Sequence, residues 1–485
     1  MTDISSGLGP AAWIAHWAAA TPSAPALEAD DGRVWNYAEL ARGVAGWADA
    51  LRGDVATGGI VCISPAGEAE RRLARWAVDW LGGVDAVLDP GLAERERDAC
   101  LEVLRPCLIL DALPSASPGG GQPLPGGGRI LFTTGSSGVP KAVRLDNPAL
   151  TAAAHANVRA RRLRPDDRLL AVLPCHHAAG CLFEDSMLLL GACIRVARRD
   201  GAGWLVRALA EGGGTLTSVV PSMLRPLLAE PDCLDKLRLI NYAGEAISRE
   251  LLDQLLAVFP GEVTRGYGMT EAGPLIAVLD DASHRDGLNA PSLLGLPAPA
   301  VTVKVDDAGE LLVRSPSLMS GYHNAPEATA SVLVDGWLRT GDLAEIAPVT
   351  GMIRLVGRRC HLFRSGGKWV SPSEIEEILG TLPGVTDSVV LPLESPRWGN
   401  VPVALTEGGR TLTRDDLEAV FKTALSQHKW PVWVELMDEF PRHGNGKTDR
   451  GALGRLVLGG PSAAAFVIRD LTHAYGGNHM KVQPQ

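Results

Sequence analysis

The sequence predicts an α/β protein. A large N-terminal domain of stacked α/β subdomains is completed by a β-rich subdomain, and a small, mobile α+β C-terminal domain follows. Three observations predict it. From Trp13 to about Ala300, short apolar strands alternate with helical patterns, the rhythm of a layered sheet. Between residues 301 and 357 the texture changes to short strands and turns. After Arg358 comes a last unit of roughly a hundred residues with a helix of its own. The expected division is therefore 1–357, with the β-rich part at 301–357, then 358–458, and a flexible tail at 459–485.

Composition sets bounds on function. A chain of 485 residues is long for one ordinary domain. Its 46% apolar and 21% charged residues suit a soluble globular protein. The net charge of -10 argues against a general nucleic-acid or anionic-membrane binder, so a polyanionic ligand would need local positive charge or a metal. Eight cysteines without a CxxC pair favour reduced thiols in the cytoplasm. Neither a signal peptide nor a run of about 18 apolar residues is expected to engage a membrane.

The elements follow in order. "GGIVCISP" reads as a buried strand, "EAERRLARWAVDWLGG" as an amphipathic helix closed by glycine, and "DAVLDP" as the next strand. Pro114 to Gly128, rich in proline and glycine, reads as a mobile connection. "RILF" is a strand from which a glycine-rich loop hangs, and "LLAVLP", "LTSVVP" and "LRLINYAG" continue the alternation. "TVKVDDAGELLVRS", "DGWLRTGDLAEI" and "GMIRLVG" make the β-rich part. In "SPSEIEEILGTLPGV", Ser371 and Glu374 have capping-box spacing, Pro372 suits a first turn, and Ile375, Ile378, Leu379 and Leu382 form the buried stripe.

The glycine-rich loop, "LFTTGSSGVPKAV", gathers hydroxyls, glycines and one lysine, as a polyphosphate site would. It is not a Walker loop, because Val139 and Pro140 separate Gly138 from Lys141 and Ala142 follows. Five further motifs come downstream: "GYGMTE"; "GELLVRSPSLMSGYHNAPEAT"; "WLRTGDL"; "GRRCHLFRSGGKWVSPSEIE"; and "PRHGNGKTDR". Together, from about Trp13 to Arg450, they resemble the adenylate-forming superfamily of acyl-CoA synthetases, adenylation domains and firefly-type luciferases.

That resemblance implies ATP-dependent adenylation of a small carboxylic acid to an acyl-adenylate and pyrophosphate. Transfer to CoA or a carrier-protein thiol would follow. Two anions must meet, so catalysis is mostly positioning and charge neutralisation. The hydroxyls of Thr133, Thr134, Ser136 and Ser137 would wrap the β- and γ-phosphates, Gly135 and Gly138 permit the path, and Lys141 adds charge. Glu271 would bind Mg2+, beside Thr270 on the α-phosphate. Gly244, Glu245, Ala246, Tyr267, Gly268 and Met269 would border the adenosine, and Asp342, with Arg358 nearby, would take the ribose hydroxyls. Lys447, from the mobile domain, would bridge the carboxylate and the α-phosphate.

In "LPCHHAAGCLFED", His177 stands where acyl- and aryl-CoA ligases carry a histidine near the substrate carboxylate. Amino-acid adenylation domains have an aromatic residue there and then an aspartate for the α-ammonium; here Phe183 is followed by Glu184. The expected acid is therefore aryl or similar and lacks an α-amine. Its walls would include Val220 and Pro221 within Val219 to Met223, Asn241, Tyr242, Ala243, Gly266 and Gly268. Cys175, His176, His177 and Cys181 offer zinc-ligating residue types, but their spacing fits no standard site. The chain departs from the family pattern at the hinge, with Cys360, His361 and Arg364 in place of the usual residues. Two alternatives follow: AMP activation for a non-thioester reaction (an amide ligase or a diazotase), or a non-catalytic nucleotide-binding homologue. The expected protein binds neither nucleic acid nor membrane and is a monomer or homodimer.

Overall fold

A computed structural model describes residues 9–65, 67–116, 121–133, 140–245, 247–288, 290–395, 398–442, 448–460, 462 and 465–468. The apolar runs of the N-terminal part form two sheets. In one, the strands Gly128–Thr133, Val84–Val87, Ile60–Ile63 and Leu108–Leu110 run parallel. The hairpin strand Lys141–Asp146 and the short strand Gly321–Tyr322 close its far edge antiparallel. In the other, Cys193–Val196, Arg168–Ala171, Leu216–Val219, Leu239–Ala243 and Glu262–Tyr267 form a parallel core.

The β-rich region extends this second sheet. Ala277–Leu279 and Leu293–Pro297 lead antiparallel into Ile353–Arg358, Trp337–Ile346, Glu310–Arg314 and Thr302–Val305. A third sheet contains Phe363–Ser365, Lys368–Val370, Val385–Ser395, Gly399–Gly408 and Trp433–Met437. Among the described residues no strand pairing joins it to the first two. The α/β class, with a large N-terminal and a smaller C-terminal unit, is as the sequence predicts. Residues 466–467, assigned to the tail by sequence, instead pair with Trp433 and Val434.

Three helices fill the space between the first two sheets. Glu68–Trp80 and Asn147–Ala160 pack on the first and Ala178–Leu190 on the second. The helix Glu68–Trp80 is amphipathic in sequence as expected, yet its polar face does not meet solvent: the helix is buried all round, arginines included. The reason lies across the layer. Arg72 and Arg75 reach Glu184 at 2.6 and 3.2 Å, and Arg129 reaches Asp185 at 2.8 Å. Asp85 stands 3.3 Å from Arg75 and 3.5 Å from Arg129. Charges that would be expensive alone are tolerated because each meets its opposite.

Two local expectations are also corrected. Ser371 precedes the helix Pro372–Leu379 but makes no capping bond; its hydroxyl donates to the Val356 carbonyl at 2.9 Å, and Glu374 is taken by Lys429 at 2.7 Å. The stripe holds, with Ile375 and Leu379 fully buried and Ile378 and Leu382 packed beside them. Within the connection Pro114 to Gly128, residues 121–127 lack regular structure yet are tied down. The Leu124 amide donates to the Trp80 carbonyl at 2.9 Å and Asn147 Nδ2 to the Gly126 carbonyl at 2.6 Å. No helix among the described residues is long and apolar enough to cross a membrane. All seven described cysteines are free thiols.

Candidate active site

Ligand crevices in open α/β sheets lie beyond the carboxyl ends of parallel strands. The segment Gly266 to Glu271 leaves the strand Glu262–Tyr267 at that end. Gly268 is a steric necessity against backbone, whereas Gly266 meets only the end of a side chain. A Cβ on Gly268 would sit 1.8 Å from the Pro274 carbonyl oxygen, and one on Gly266 would sit 2.6 Å from Arg161 Nη2. Thr270 and Glu271 then turn in a short 3-10 segment that buries the Glu271 side chain.

Glu271 Oε1 accepts the Tyr322 hydroxyl at 2.8 Å, and Lys141 Nζ lies 5.0 Å from the centre of the Tyr322 ring. One tyrosine thus links the lysine of the glycine-rich hairpin to the carboxylate of the central motif. Burial and the neighbouring carboxylate push the Tyr322 hydroxyl above its ordinary value, so it keeps the proton that it donates. Thr133 pairs with Lys141 across the base of the hairpin. Thr134, Gly135, Ser136, Ser137 and Gly138 lie outside the described residues, as does Ala246.

The other end of the segment builds a second cluster. Tyr267 donates its hydroxyl to Asp342 Oδ2 at 2.5 Å, and Arg358 Nε lies 3.0 Å from Asp342 Oδ1. Asp342 and Arg358 are cross-strand partners, so strand register fixes their meeting. Asp342 is buried, while the Arg358 side chain is more than half exposed. Burial, reinforced by Asp342, raises the Tyr267 hydroxyl and keeps it a donor.

The predicted acid walls divide by strand alternation. Asn241 and Ala243 share a face, and Ala243 pairs with Gly266. Tyr242 points the other way, fully buried, with its hydroxyl 2.9 Å from His284 Nε2. Its side chain belongs to the core, and only its backbone is left to border a ligand. Val220 is likewise a core residue, and Pro221 starts a 3-10 turn. Met269 is partly buried against the core. Gly244, with φ +90°, turns the chain off its strand ahead of Glu245.

His177 stands at the N-terminal boundary of the helix Ala178–Leu190 without a side-chain capping bond, its ring 4.3 Å from that of His176. The zinc alternative fails on donor chemistry. Cys181 Sγ donates to the Cys175 carbonyl at 2.9 Å, and burial pushes its thiol up to about 12. Glu184 is consumed by Arg72 and Arg75, so it offers no carboxylate to an α-ammonium.

Lys447 lies outside the described residues, but the anchors of its segment are clear. Arg442 and Thr448 bridge each other, Thr448 Oγ1 donates to Asp387 Oδ2 at 2.8 Å, and Arg442 Nη2 donates to Glu407 Oε2 at 2.7 Å. Arg442 and Asp387 line a cleft whose opposite wall includes Pro221, Ser222, Arg225 and Glu245. Arg225 Nη2 donates across it to the Thr386 carbonyl at 3.0 Å. At the expected hinge, burial together with Arg450 and Arg358 lowers His361 to about 4.

Residues 129–323 match the AMP-binding enzyme family, and residues 374–447 match the AMP-binding enzyme C-terminal domain. A feruloyl-CoA synthase from Amycolatopsis sp is 32% identical over 350 residues, covering 67% of this chain and 69% of that protein. The chain belongs to the AMP-binding family of adenylate-forming enzymes. It is a ligase of the acid–CoA type, as the resemblance implied. A fatty acid–acyl-carrier-protein ligase from Streptomyces coeruleorubidus is also 32% identical, over 67% of this chain and 66% of its own. Among solved structures, o-succinylbenzoate CoA synthetase from Bacillus subtilis, in complex with its acyl-adenylate intermediate, superposes with a TM-score of 0.79. That match is 25% identical over 91% of this chain and 97% of the other.

Sequence reasoning missed Tyr322, Asp387 and Arg442 in this AMP-binding enzyme. "SGYHNAP" contains the tyrosine, but only the pairing of Gly321–Tyr322 with Val143 and Arg144 brings it to Glu271.

Proposed function

We propose that this ligase adenylates an aryl carboxylic acid lacking an α-amine and passes the acyl group to the thiol of CoA. The observation that carries this reading is the segment Tyr267 to Glu271, which holds both polar clusters of the site at once. ATP lies with its ribose hydroxyls on Asp342, adenine beside Tyr267 and Gly244, and its outer phosphates toward Thr133 and Lys141. The acid lies between His177, Pro221, Asn241, Ala243 and Gly266. A carboxylate oxygen attacks the α-phosphorus and pyrophosphate leaves. A thiolate sulfur then attacks the acyl carbon and AMP leaves.

Glu271 suits Mg2+, which takes one or two carboxylates together with phosphate oxygens. Its carboxylate is buried and oriented by Tyr322, with the Thr270 hydroxyl adjacent. Bound there, the ion would supply charge neutralisation for the phosphates. The absence of an α-amine is supported by both acids that follow Phe183 in the helix Ala178–Leu190 being held by arginines: Glu184 by Arg72 and Arg75, and Asp185 by Arg129. The aryl preference is supported by the feruloyl and o-succinylbenzoate specificities of the relatives.

We place the division between the two units at residues 357 and 358, at the last residue of the strand Ile353–Arg358. Lys447 is delivered from the second unit, since Arg442 and Asp387 at the base of its segment share a cleft with Pro221 and Glu245. The test is pyrophosphate release across aryl, aliphatic and amino acids, with AMP release measured with and without CoA. Aryl acids should lead, and CoA should accelerate AMP release. Lys447→Ala should slow pyrophosphate release about a hundredfold or more while the fold stays intact, the scale of one lost transition-state charge contact. Near-normal release in that variant overturns the assignment.

A further inference from the structure

Buried arginines between the first two sheets come with carboxylates: Arg72 and Arg75 with Glu184, and Arg129 with Asp185. Arg161, at the end of the helix Asn147–Ala160, does not. It is 2% exposed, and among the described residues no carboxylate lies within ion-pair distance of it. Its Nε donates to Asn241 Oδ1 at 3.0 Å and its Nη1 to Asn157 Oδ1 at 2.5 Å. The guanidinium carbon stands 5.3 Å from the centre of the Phe183 ring.

The two amides are held with their oxygens toward the cation. Asn157 Nδ2 is spent on Ser186 Oγ at 2.9 Å and Asn241 Nδ2 on Ser218 Oγ at 2.8 Å. These partners are neutral, so they orient the guanidinium without cancelling its charge. Nη2 makes no hydrogen bond to the described residues, and it is the atom that approaches Gly266. Burial lowers this arginine to about 9, which still leaves it charged at neutral pH.

An uncompensated interior charge is costly, and a leucine of similar reach would avoid the cost. Asn241, Ala243 and Gly266, which surround the spare amine, are the residues to which the proposed function gives the acid. We propose that Arg161 is the anion-recognising end of the acid pocket, so that the preferred acid carries a second carboxylate remote from the one activated. This inference rests on the adenylation reading and names the substrate class within it.

The experiment compares pyrophosphate release by the full-length protein with matched aryl acids, each with and without a distal carboxylate set at graded spacing. The wild type should favour a diacid at one spacing by roughly a hundredfold in kcat/KM, as sites built around a buried polar group do. Arg161→Met should bring the diacid-to-monoacid ratio close to one, and Arg161→Lys should restore part of it. Wild-type turnover of monoacids as fast as of diacids at every spacing overturns the proposal, and needs no variant that might fail to fold. Equal loss on both acids in a folded Arg161→Met also overturns it, since the arginine would then only hold Asn157 and Asn241 in place. Silence with every acid overturns the adenylation reading and this inference with it, and is distinguishable from a preference for monoacids.

Discussion

At the scale of single residues, the site depends on donors that burial keeps protonated. Tyr322 holds Glu271 in one orientation and presents a ring face to Lys141. Tyr322→Phe should therefore lower the rate of pyrophosphate exchange and shift its Mg2+ dependence to higher concentration, by roughly tenfold for a lost charge-assisted bond. Glu271→Gln should do more in the same direction, about a hundredfold. A normal magnesium titration in both variants would remove Glu271 from the ion. His176 gives a stability prediction with a definite sign. Burial outweighs its contact with Asp89, 3.6 Å away, and lowers it from 6.5 to about 4. The unfolded chain thus binds the proton first, so stability is complete above about pH 6.5 and drains as the pH falls toward 4. The loss is on the order of 3 kcal/mol. Denaturation of wild type and His176→Asn between pH 7 and 4 should show a shallower fall in the variant. Glu271, Asp342 and Lys141 were legible as candidates because each stands in a motif that resembles one of the family's. Arg161 was not, because "RARRLR" offers several arginines and only burial separates one from its neighbours.

At the scale of elements, the helix Glu68–Trp80 shows where periodicity misleads. Its arginines recur at helical spacing and suggest a wetted face; Glu68 meets Arg71 and Arg72 within the helix, yet the other acids come from Ala178–Leu190 and from the strand Val84–Val87, which no local pattern reveals. Glu184→Gln should leave Arg72 and Arg75 undercompensated and cost about 3–5 kcal/mol, read from the midpoint of chemical unfolding. A cost below about 1 kcal/mol would mean that the pair is dispensable. The strands fared better, since each short apolar run of the parallel sheets falls where the sequence puts it. Ser371 erred for a complementary reason. Its spacing to Glu374 satisfies the capping rule, but the Val356 carbonyl and Lys429, both distant in sequence, outbid the local partners.

At the scale of the whole molecule, the α/β class and the smaller C-terminal unit were legible, whereas the continuity of the β-rich region with the second sheet was not. That continuity depends on Leu293–Pro297 pairing with Ala277–Leu279 at one end and Ile353–Arg358 at the other, a choice that propensity does not encode. The two units are held together by polar contacts, among them Arg225 with the Thr386 carbonyl, Ser292 with Glu377 and Arg359 with Glu310. Small polar interfaces are those that let domains move.

The interior lattice of Arg72, Arg75, Arg129, Asp85, Glu184 and Asp185 has a consequence for how the protein meets its solvent. Dissolved ions screen charges only where they can approach, within about 3 Å at molar salt, and this lattice is at most 3% exposed. Brine should leave the unfolding midpoint nearly still while weakening the contact of Arg359, more than half exposed, with the buried Glu310, so that protease cleaves between the two units sooner. A midpoint that drops with added sodium chloride would reveal counterions seeping into the layer between the sheets.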